Sequence, residues 1–291
     1  MTGRSKISVV TPSFNQSQFL ERTILSVLNQ NYPNLEYIII DGGSTDGSVD
    51  IIKKYQSKLH YWISEPDNGM YDAINKGFTV SSGDIMTYIN SDDILHFSSL
   101  VTVADLFERY TDICWLNGLP NQIDEKDRYV WLGSLPNWNR YLFLNRQYRY
   151  IQQEGCFWRR SIWERAGNFM DTKYILAADL DLWCRFFDFS SIIYVPTILG
   201  SFRVRSQNQK SLESINQYNK EAERVIDSFR KRAFNEELEK LEKYNSIPYK
   251  ILHKIGYDKL FDLFGYSDIK SLFKPHERAL KFDRKTQNFI Y

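Results

Sequence analysis

The 291-residue sequence has few cysteines and no long uninterrupted run of apolar residues. Cys114, Cys156 and Cys184 are odd in number and widely separated, which fits neither a disulfide framework nor a zinc-ligand spacing. No stretch approaches the apolar length that a membrane-spanning helix needs. The opening segment MTGRSKISVVTPSF has too short an apolar run for a signal peptide. These absences predict a cytoplasmic protein with reduced cysteines.

The sequence also lacks an excess of charge of either sign. It contains 37 Lys and Arg against 36 Asp and Glu, which gives a formal net charge of +1. Nucleic-acid-binding proteins neutralise phosphates with many basic side chains, so this balance gives no reason to expect a nucleic-acid partner. The hydrophobic content of 43% is enough for a sizeable core. We therefore expect a folded globular protein.

Strand-like and helical patterns alternate along the first half of the chain. Short apolar segments typical of buried strands are ISVVT, LEYIIID, HYWIS and IMTYI, and segments of helical composition separate them. This alternation predicts an α/β fold with a mostly parallel sheet between helices. Further on, IIYVPTILGSFRVR is predicted to be one strand. From about Glu213 onward the sequence is predicted to be helical and charged.

Polar residues follow each of these strands. The segments TPSFN, DGGSTD, SEPD and NSDD stand where the four strands are predicted to stop. Because open α/β sheets bind their ligands at the carboxyl ends of parallel strands, these segments predict one shared cleft.

Two common phosphate-binding patterns are absent from that cleft. The segment TPSFNQ follows the first strand, where a Rossmann dinucleotide site needs Gly-x-Gly-x-x-Gly, and its proline removes a backbone donor. A P-loop is absent as well. A diphosphate would then be neutralised most simply by a divalent cation held on hard oxygen ligands such as Asp92. The pattern fits a nucleoside diphosphate.

Taken together, the motifs resemble the inverting glycosyltransferases of family 2, which have the GT-A nucleotide-sugar-binding fold. The resemblance runs from about Ile7 to Ser211 and is carried by SVVTPSFNQ, QNYPNLEYIIIDGGSTDGS, EPDNGMYDAINKG, GDIMTYINSDD, QQEGCFWRRSIWERAG, AADLDLWCRF and FRVRSQNQKS. It implies a GT-A domain at 1–211, with a nucleotide-binding half at 1–119 and an acceptor-binding half at 120–211. A helical C-terminal extension at 212–291 would follow.

The resemblance also implies an activity. Family members of this type build bacterial surface polysaccharide or lipid-linked glycans, so the expected reaction moves a hexosyl or N-acetylhexosaminyl group from a UDP-sugar to a saccharide or lipid-linked acceptor. Thr11, Pro12 and Asn15 would line the nucleoside pocket, and Asp41 would contact the uracil ring. These roles come from the matching motif positions alone.

Two motifs concern the diphosphate. Asn90, Ser91 and Asp92 lie over the Asp-x-Asp element of the family, which implies that Asp92 binds a Mn²⁺ or Mg²⁺ ion bridging the phosphates. Arg205 in FRVRSQ stands where many members have a metal-binding histidine. Arginine has no free acceptor for a cation, so Arg205 is expected to pair with the diphosphate instead, and the metal requirement stays open.

Asp179 in AADLDLW matches the catalytic base of the family, here preceded by Ala178 where many members have glutamate. Asp181 lies two residues on. The chemistry also needs a carboxylate near the acceptor, because a sugar hydroxyl is a poor nucleophile until a base takes its proton. One displacement with inversion is implied. Trp158 and Trp183 are predicted to be core aromatics rather than sugar platforms.

Several acidic residues have simpler interpretations. Asp41 and Asp46 could serve as turn and helix-cap residues, because DGGSTDGS is strong turn chemistry. Asp93 is expected to cap the following helix. Asp72 and Lys76 could be an ordinary surface pair four residues apart, or could contact the nucleotide sugar. Both interpretations stay open at this point.

Two other functions compete with the transferase. Ala178, Asn90 and Arg205 support a nucleotide-sugar-binding module that has lost catalysis. A sugar-nucleotide pyrophosphorylase would need a glycine-rich, lysine-bearing loop near the N-terminus, and the sequence has none.

The last part of the sequence interleaves apolar residues with lysines at helical spacing. The pattern predicts a helix whose apolar face packs on the catalytic domain or forms a homodimer. The alternative is peripheral contact with the anionic cytoplasmic membrane through Tyr249 to Lys285, weakened by salt. Such contact would bring the cleft close to a lipid-linked acceptor.

Overall fold

A seven-stranded sheet forms the centre of the structure, a computed structural model that describes residues 3–147, 150–206, 214–246, 249–250, 254 and 279–290. The described strands are β1 (Ile7–Ser13), β2 (Leu35–Asp41), β3 (Tyr61–Ser64), β4 (Ile85–Tyr88), β5 (Ile94–Leu95), β6 (Trp115–Asn117), β7 (Asn121–Ile123), β8 (Tyr129–Leu132), β9 (Cys156–Arg159), β10 (Ile193–Tyr194), β11 (Gly200–Arg203), β12 (Lys281–Asp283) and β13 (Asn288–Ile290).

The order in the main sheet is β10-β6-β9-β4-β1-β2-β3. The strands β4, β1, β2 and β3 pair in parallel, whereas β9 runs antiparallel to both of its neighbours. Ser13 lies opposite Asp41, and Asp41 lies opposite Ser64. The carboxyl ends of three neighbouring strands therefore lie in register at one edge of the sheet. The predicted α/β architecture with a mostly parallel sheet is confirmed.

Helices cover both faces of the sheet. They are α1 (Ser17–Leu28), α2 (Ser48–Tyr55), α3 (Met70–Thr79), α4 (Ser99–Arg109), α5 (Arg140–Leu144), α6 (Arg160–Arg165), α7 (Ala178–Phe187), α8 (Ile215–Arg232) and α9 (Asn235–Asn245). Successive strand side chains point to opposite faces, so Val9 packs in the layer with α1, α2 and α4, and Val10 in the layer with α3 and α7. Two apolar cores result. Trp158 and Trp183 are buried in the second core, as predicted.

The helices α8 and α9 share that second core. Ala222, Val225, Ile226 and Phe229 recur at helical spacing on one face of α8 and are buried. This apolar stripe packs with α7 and its neighbours, so α8 is attached to the part of the chain that carries the predicted base. The predicted domain boundary at residue 211 stays a prediction.

One predicted strand proved to be two. The segment IIYVPTILGSFRVR is divided between β10 in the main sheet and β11 in a second sheet of order β5-β11-β7-β8. Pro196 lies between them and has no backbone N–H to donate to a ladder, so one continuous strand is not formed. The second sheet places residues 204–206 beside the main sheet edge, near the end of β4.

The prediction that everything after Glu213 is helical is wrong for the last described residues, because β12 and β13 form an antiparallel hairpin. The Asp283 carboxylate accepts hydrogen bonds from the Lys285 and Thr286 N–H groups, at 3.0 and 3.3 Å, which stabilises the turn. Tyr110 donates to the Phe289 carbonyl at 2.7 Å. The hairpin thus packs beside α4.

Most of the predicted membrane-contact segment, Tyr249 to Lys285, lies outside the described residues. Within the parts of the chain that are described, every helix is too short or too polar to cross a bilayer.

Candidate active site

Two loops are joined at the carboxyl ends of β1 and β2. Asn15 has a left-handed backbone (φ 51°), a conformation that Asn tolerates better than most residues. Its N–H donates to Ser44 Oγ at 2.8 Å, and its Oδ1 accepts from the Thr45 N–H at 2.9 Å. The Gly42 N–H donates to the Ser13 carbonyl at 2.8 Å. Asn15 therefore holds the first loop against the second and stays exposed at the edge.

Asp41 is fully buried and accepts four hydrogen bonds. Its donors are the N–H groups of Gly43 (3.2 Å) and Ser44 (2.9 Å), Ser44 Oγ (2.5 Å) and Ser64 Oγ (2.7 Å). The turn role considered from the sequence is thus present, and Asp41 also ties the end of β2 to the end of β3. In this structure its carboxylate lies beneath the surface of the edge.

Thr11 and Pro12 also lie beneath that surface. Thr11 is 0% exposed, and its hydroxyl is 3.1 Å from that of buried Tyr37. Pro12 is buried within β1. Of the residues expected to line the nucleoside pocket, the structure therefore places Asn15 on the surface and Thr11, Pro12 and Asp41 under it.

Asp46 connects the first turns of two helices. Its carboxylate accepts from the N–H (3.0 Å) and Oγ (2.6 Å) of Ser48 and from the Ser17 N–H (2.8 Å). Burial opposes ionisation, but these hydrogen bonds outweigh it and lower the pKa of Asp46 to about 2. Asp46 is a fixed negative charge at neutral pH. A cavity of about 650 Å³ opens beside it, lined by Asn15, Gln16, Ser17, Gln18, Phe19, Asp46, Glu125, Arg205 and Ser206.

Asp92 and Arg205 form an ion pair at the end of β4. Arg205 Nη2 lies 3.2 Å from Asp92 Oδ2, and both side chains are mostly buried, at 12% and 16% exposed. Arg205 Nη1 donates to Gln16 Oε1 at 3.1 Å. Burial raises the pKa of Asp92, and the charge of Arg205 opposes that rise. The structure therefore brings together the two residues that the motifs assign to the diphosphate.

The neighbours of Asp92 are packed inward. Asn90 Nδ2 donates to Asp93 Oδ2 at 3.1 Å, while Asn90 Oδ1 is buried and has no hydrogen-bond partner among the described residues. Ser91 is 5% exposed. Asn90 thus offers an unsatisfied oxygen close in sequence to the Asp92 carboxylate.

Asp93 does not cap the next helix, contrary to the prediction, because α4 begins six residues later and its N-cap is Ser98. Asp93 Oδ1 instead accepts from the Arg203 N–H at 2.7 Å, and its carboxyl group shares a hydrogen bond with Glu154. Burial raises the pKa of Glu154 to about 7, and burial and the charge of Glu154 raise the pKa of Asp93 well above its usual value. The two buried carboxyl groups are therefore harder to ionise than isolated ones.

Asp179 is the second residue of α7. Its Oδ1 accepts from the Leu180 N–H at 2.8 Å and from the Tyr71 hydroxyl at 3.5 Å. Burial raises the pKa of Asp179 to about 6, and these hydrogen bonds only partly offset it. This carboxyl group therefore changes protonation state close to neutral pH.

Asp181, two residues further on, is differently placed. It accepts from Arg185 Nε at 2.8 Å in an ion pair that is almost fully buried. Arg185 Nη2 also donates to the Phe169 carbonyl at 2.8 Å. Asp181 therefore holds Arg185 in place within α7, Arg185 joins the helix to the preceding segment, and the Asp181 carboxylate is occupied.

Electrostatic contacts connect Asp179 with the end of β4. Besides burial, the charges of Asp92 and Asp179 both raise the pKa of Glu154. Besides burial, Asp179 also raises the pKa of Tyr88, the last residue of β4. Asp92 and Asp179 are therefore both close enough to interact with one buried acid, Glu154.

Lys76 lies in a small surface network. Its Nζ is 3.1 Å from Glu65 Oε1 and 3.7 Å from Asp72 Oδ2, and Asp72 accepts from the Asn68 N–H at 3.0 Å. The pair predicted four residues apart is present, and Glu65 extends it. A contact with the nucleotide sugar stays a prediction.

Sequence reasoning missed Glu154, Arg203 and Tyr71. Glu154 lies two residues before the buried β9 in QQEGCFWR, where an acidic residue is unusual enough to serve as a signal. Arg203 is two residues before Arg205 and is 0% exposed, with Nε donating to the Asp92 carbonyl at 2.5 Å. Tyr71 has helical core spacing, and nothing in the sequence indicates its contact with Asp179.

The residues at this edge fit a cation only if the substrate supplies most of its ligands. In the described residues no group of three or more His, Cys, Asp or Glu side chains is placed to hold a metal. One carboxylate, Asp92, and the unsatisfied oxygen of Asn90 remain. Mg²⁺ is commonly held by one or two carboxylates plus substrate phosphates, which this donor set allows.

A mostly parallel α/β sheet with polar loops and paired charges at its carboxyl edge is an architecture of the GT-A kind, in which the strand ends offer a ligand site. The sequence model of Glycosyl transferase family 2 matches residues 8–167, more than half of the chain. The chain belongs to that family. Asp179, Arg205 and α8 lie beyond the matched residues.

Relatives of known sequence include bacterial glycosyltransferases. An uncharacterised glycosyltransferase of Mycobacterium tuberculosis H37Rv is 42% identical over 109 residues, which cover 37% of this chain and 41% of that protein. TuaG of Bacillus subtilis, assigned to teichuronic acid biosynthesis, is 38% identical over 90 residues, covering 30% of this chain and 36% of TuaG. A PGL/p-HBAD biosynthesis glycosyltransferase of Mycobacterium bovis is 25% identical over 201 residues, covering 67% and 75%. The chain thus matches less than half the length of the first two relatives.

Solved structures share the fold. TarS 1–349 of Staphylococcus aureus in complex with UDP has a TM-score of 0.63 at 16% identity, covering 89% of this chain and 75% of that one. The mannosyltransferase PcManGT of Pyrobaculum calidifontis, in complex with GDP-Man and Mn²⁺, has a TM-score of 0.56 at 16% identity, covering 93% and 83%. The GT-A fold predicted from the motifs is confirmed.

Proposed function

We propose that the chain is an inverting glycosyltransferase that moves a hexosyl or N-acetylhexosaminyl group from a UDP-sugar to a glycan or lipid-linked acceptor. It would act in bacterial surface polysaccharide synthesis, in the cytoplasm at the inner face of the cell membrane. The relatives in teichuronic acid and PGL/p-HBAD biosynthesis support the pathway class. The TarS complexes with UDP and UDP-GlcNAc support the donor class.

The observation that carries the proposal is the Asp179 carboxylate, whose pKa of about 6 is set mainly by burial. A general base works best when its pKa lies near the operating pH, because it is then ionised and still binds a proton well. In the proposed reaction Asp179 accepts the proton of the acceptor hydroxyl as the acceptor oxygen bonds to the anomeric carbon, and the bond from that carbon to the diphosphate oxygen breaks to release UDP. No covalent enzyme intermediate is needed.

The nucleotide would lie along the ends of β1, β2 and β4. Asn15 is exposed there, while Asp41, Thr11 and Pro12 shape the edge from beneath. Arg205 would pair with the diphosphate, since a guanidinium donates two parallel hydrogen bonds to a phosphate. Ser91 and Asp72 with Lys76 are weaker candidates for contacts to the diphosphate and the sugar.

A Mn²⁺ or Mg²⁺ ion would be held by Asp92, assisted by Asn90, with the remaining ligands from the diphosphate and water. When bound, it would neutralise charge that develops on the departing diphosphate. Asp92 is paired with Arg205 through Oδ2 at 3.2 Å, so Arg205 and a cation would compete for this carboxylate. Transfer of Arg205 to the incoming diphosphate would free the carboxylate.

The acceptor would approach from the Asp179 side. Tyr150 is 59% exposed, and its ring centroid lies 5.0 Å from that of Tyr218 on α8. Burial and the charge of Asp179 raise the pKa of Tyr150, so this tyrosine pair lies near the base. Aromatic faces of this kind suit the apolar face of a sugar ring.

Calorimetry with UDP tests the nucleotide part of the proposal, with GDP as the control nucleotide. UDP is expected to bind more tightly than GDP, and Mn²⁺ is expected to strengthen UDP binding. Equal UDP affinity with Mn²⁺ and with a chelator would remove the cation from the proposal. UDP binding without turnover of any UDP-sugar, with or without acceptor, would favour the catalytically silent binding module.

We also propose peripheral membrane contact through the lysine-rich C-terminal residues, on the sequence pattern alone. Full-length protein should co-sediment with anionic vesicles at low salt and be released at high salt, because screening weakens the attraction of lysines to headgroups. Neutral vesicles are the control. Protein that stays in the supernatant with both kinds of vesicle would leave packing or dimerisation as the role of this segment.

A further inference from the structure

A buried carboxylate of α8 contacts the backbone that leads into α7. Glu221 is 6% exposed, and its Oε2 accepts from the Leu176 N–H at 2.8 Å and from the Ala177 N–H at 3.1 Å. Ala177 is the N-cap residue of α7, and Asp179 follows two residues later. A glutamate from a distant part of the chain thus satisfies N–H groups at the start of the helix that bears the proposed base.

The position of Glu221 is fixed by its helix. Ala222, Val225 and Phe229 on the same side of α8 are buried in the core shared with α7. Glu221 Oε1 also accepts from Gln217 Nε2 at 3.2 Å. Both oxygens therefore face donors, the arrangement that suits an ionised carboxylate.

The charge of Glu221 acts on Asp179. Burial is the largest cause of the raised pKa of Asp179, and the negative charge of Glu221 adds to it. Other titratable groups that interact with Asp179 come from α3, β4, β9 and the segments before β9, and they are Tyr71, Tyr88, Tyr150, Glu154 and Cys156. Tyr71 also hydrogen-bonds to the backbone of this segment, at Ala178 and Asp179, whereas Glu221 holds the two residues before them and contributes a carboxylate.

We propose that Glu221 is a positioning residue for Asp179: it fixes the start of α7 through two backbone N–H groups and places a negative charge beside the base. The proposal rests on the proposed function, because it takes Asp179 as the general base. It gives α8, which lies outside the residues matched by the family, a role in the active site in addition to packing.

Two substitutions separate the two parts of this role. Glu221→Gln keeps an oxygen that accepts from the backbone N–H groups but removes the charge. Glu221→Ala removes both. Glu223→Gln is the matched control, because Glu223 lies on the same helix, is 54% exposed and pairs with Arg146 on the surface.

The deciding measurement is the pKa of Asp179 in the full-length protein without ligands, obtained by ¹³C NMR of labelled Asp carboxyl groups and assigned with Asp179→Asn. Glu221→Gln is expected to lower this pKa by about half a unit or more, because a like charge no longer disfavours ionisation. Glu223→Gln should leave it unchanged. Amide exchange at Leu176 and Ala177 should accelerate in Glu221→Ala and much less in Glu221→Gln.

An Asp179 pKa in Glu221→Gln equal to that of the wild type would overturn the electrostatic part, and unchanged amide exchange in Glu221→Ala would overturn the positioning part. If Glu221→Ala does not fold, Glu221→Gln still decides. Amide exchange that is slower in Glu221→Gln than in the wild type, or an unchanged Asp179 pKa in that variant, would contradict the proposal. These readouts need no substrate. Failure of the proposed function would show itself separately, as a lack of UDP binding or as turnover in Asp179→Asn.

Discussion

Asp46, on the proposed nucleotide side of the edge, and Asp179, on the proposed acceptor side, are aspartates of opposite character. Three hydrogen bonds from Ser48 and Ser17 overcome burial at Asp46 and bring its pKa to about 2. At Asp179, burial dominates over the hydrogen bonds from Leu180 and Tyr71, and the pKa is about 6. The same kind of side chain is a permanent charge in one place and has a pKa close to neutral in the other.

The difference follows from the number of hydrogen-bond donors around each carboxylate. The loops after β1 and β2 come from turn-rich sequence, and their many N–H and hydroxyl donors satisfy the carboxylates they contain. The start of α7 offers few donors to Asp179, and aromatic and acidic groups from other elements, Tyr71, Glu154 and Glu221, interact with it. A carboxylate with few donors costs stability but keeps the proton affinity that a general base needs.

The substitution with the largest expected effect on this difference neutralises the Asp179 carboxylate. Asp179→Asn is expected to lower turnover by about 10³-fold or more, since the amide cannot accept the proton, while UDP affinity changes little. UDP release from the best UDP-sugar of a donor panel, with acceptor, is the measurement. Wild-type turnover should itself decline as the pH falls below about 6, because the base becomes protonated.

Stability gives the same variant a second readout. The pKa of Asp179 in the folded protein, about 6, lies above its value in the unfolded chain. The Asp179 carboxyl group therefore favours the folded state at low pH, and this contribution to the free energy of unfolding is lost as the pH rises through 6. Asp179→Asn should therefore raise the free energy of unfolding at pH 7.5, by up to about 3 kcal/mol, and have little effect near pH 3.5.

The control for this prediction is Asp181→Asn, which weakens the buried pair with Arg185. That variant should lose stability and keep most of its turnover per folded molecule. If Asp181→Asn abolished turnover and Asp179→Asn did not, the assignment of the base would be reversed.

The first half of the fold was predictable because local sequence signals agree with it. The segments ISVVT and LEYIIID became β1 and β2, and the polar ends of these strands meet in register, as parallel strands require. The later part was less predictable because its boundaries depend on single residues. Pro196 divides a long apolar run into β10 and β11, and Asp283 builds a turn where a helix was expected.

The site was predictable where motifs are contiguous in sequence. The proximity of Asp92 and Arg205 follows from two such motifs, and the structure pairs them at 3.2 Å. Glu154 and Glu221 were not predictable, because each acts through tertiary contacts with residues far along the chain. For Glu154, an acidic residue close to an apolar strand was the available signal, and it does not identify the partner.

Substitutions of Arg205 test the proposed nucleotide site, and their expected effect is smaller than that of Asp179→Asn on turnover. Arg205→Met should weaken UDP binding by about 10- to 100-fold, because a charge-assisted hydrogen bond contributes roughly 1.5–3 kcal/mol. Arg205→Lys should recover part of this loss, since an ammonium group keeps the charge but cannot form the bidentate contact. Calorimetry with UDP is the measurement.

The matched control is Arg22→Met, because Arg22 and Arg205 both lie over the Phe19 ring, at 5.1 and 5.8 Å, but Arg205 is the one paired with Asp92. Arg22→Met should bind UDP within about twofold of wild type, as expected for a half-exposed surface pair.

Asp92 left without Arg205 would also repel the diphosphate, so the double variant Arg205→Met/Asp92→Asn separates the two causes. Full recovery of UDP affinity in the double variant would mean that Arg205 acts only by neutralising Asp92. A persistent loss would mean that it contacts the diphosphate, and wild-type affinity in Arg205→Met would exclude both roles.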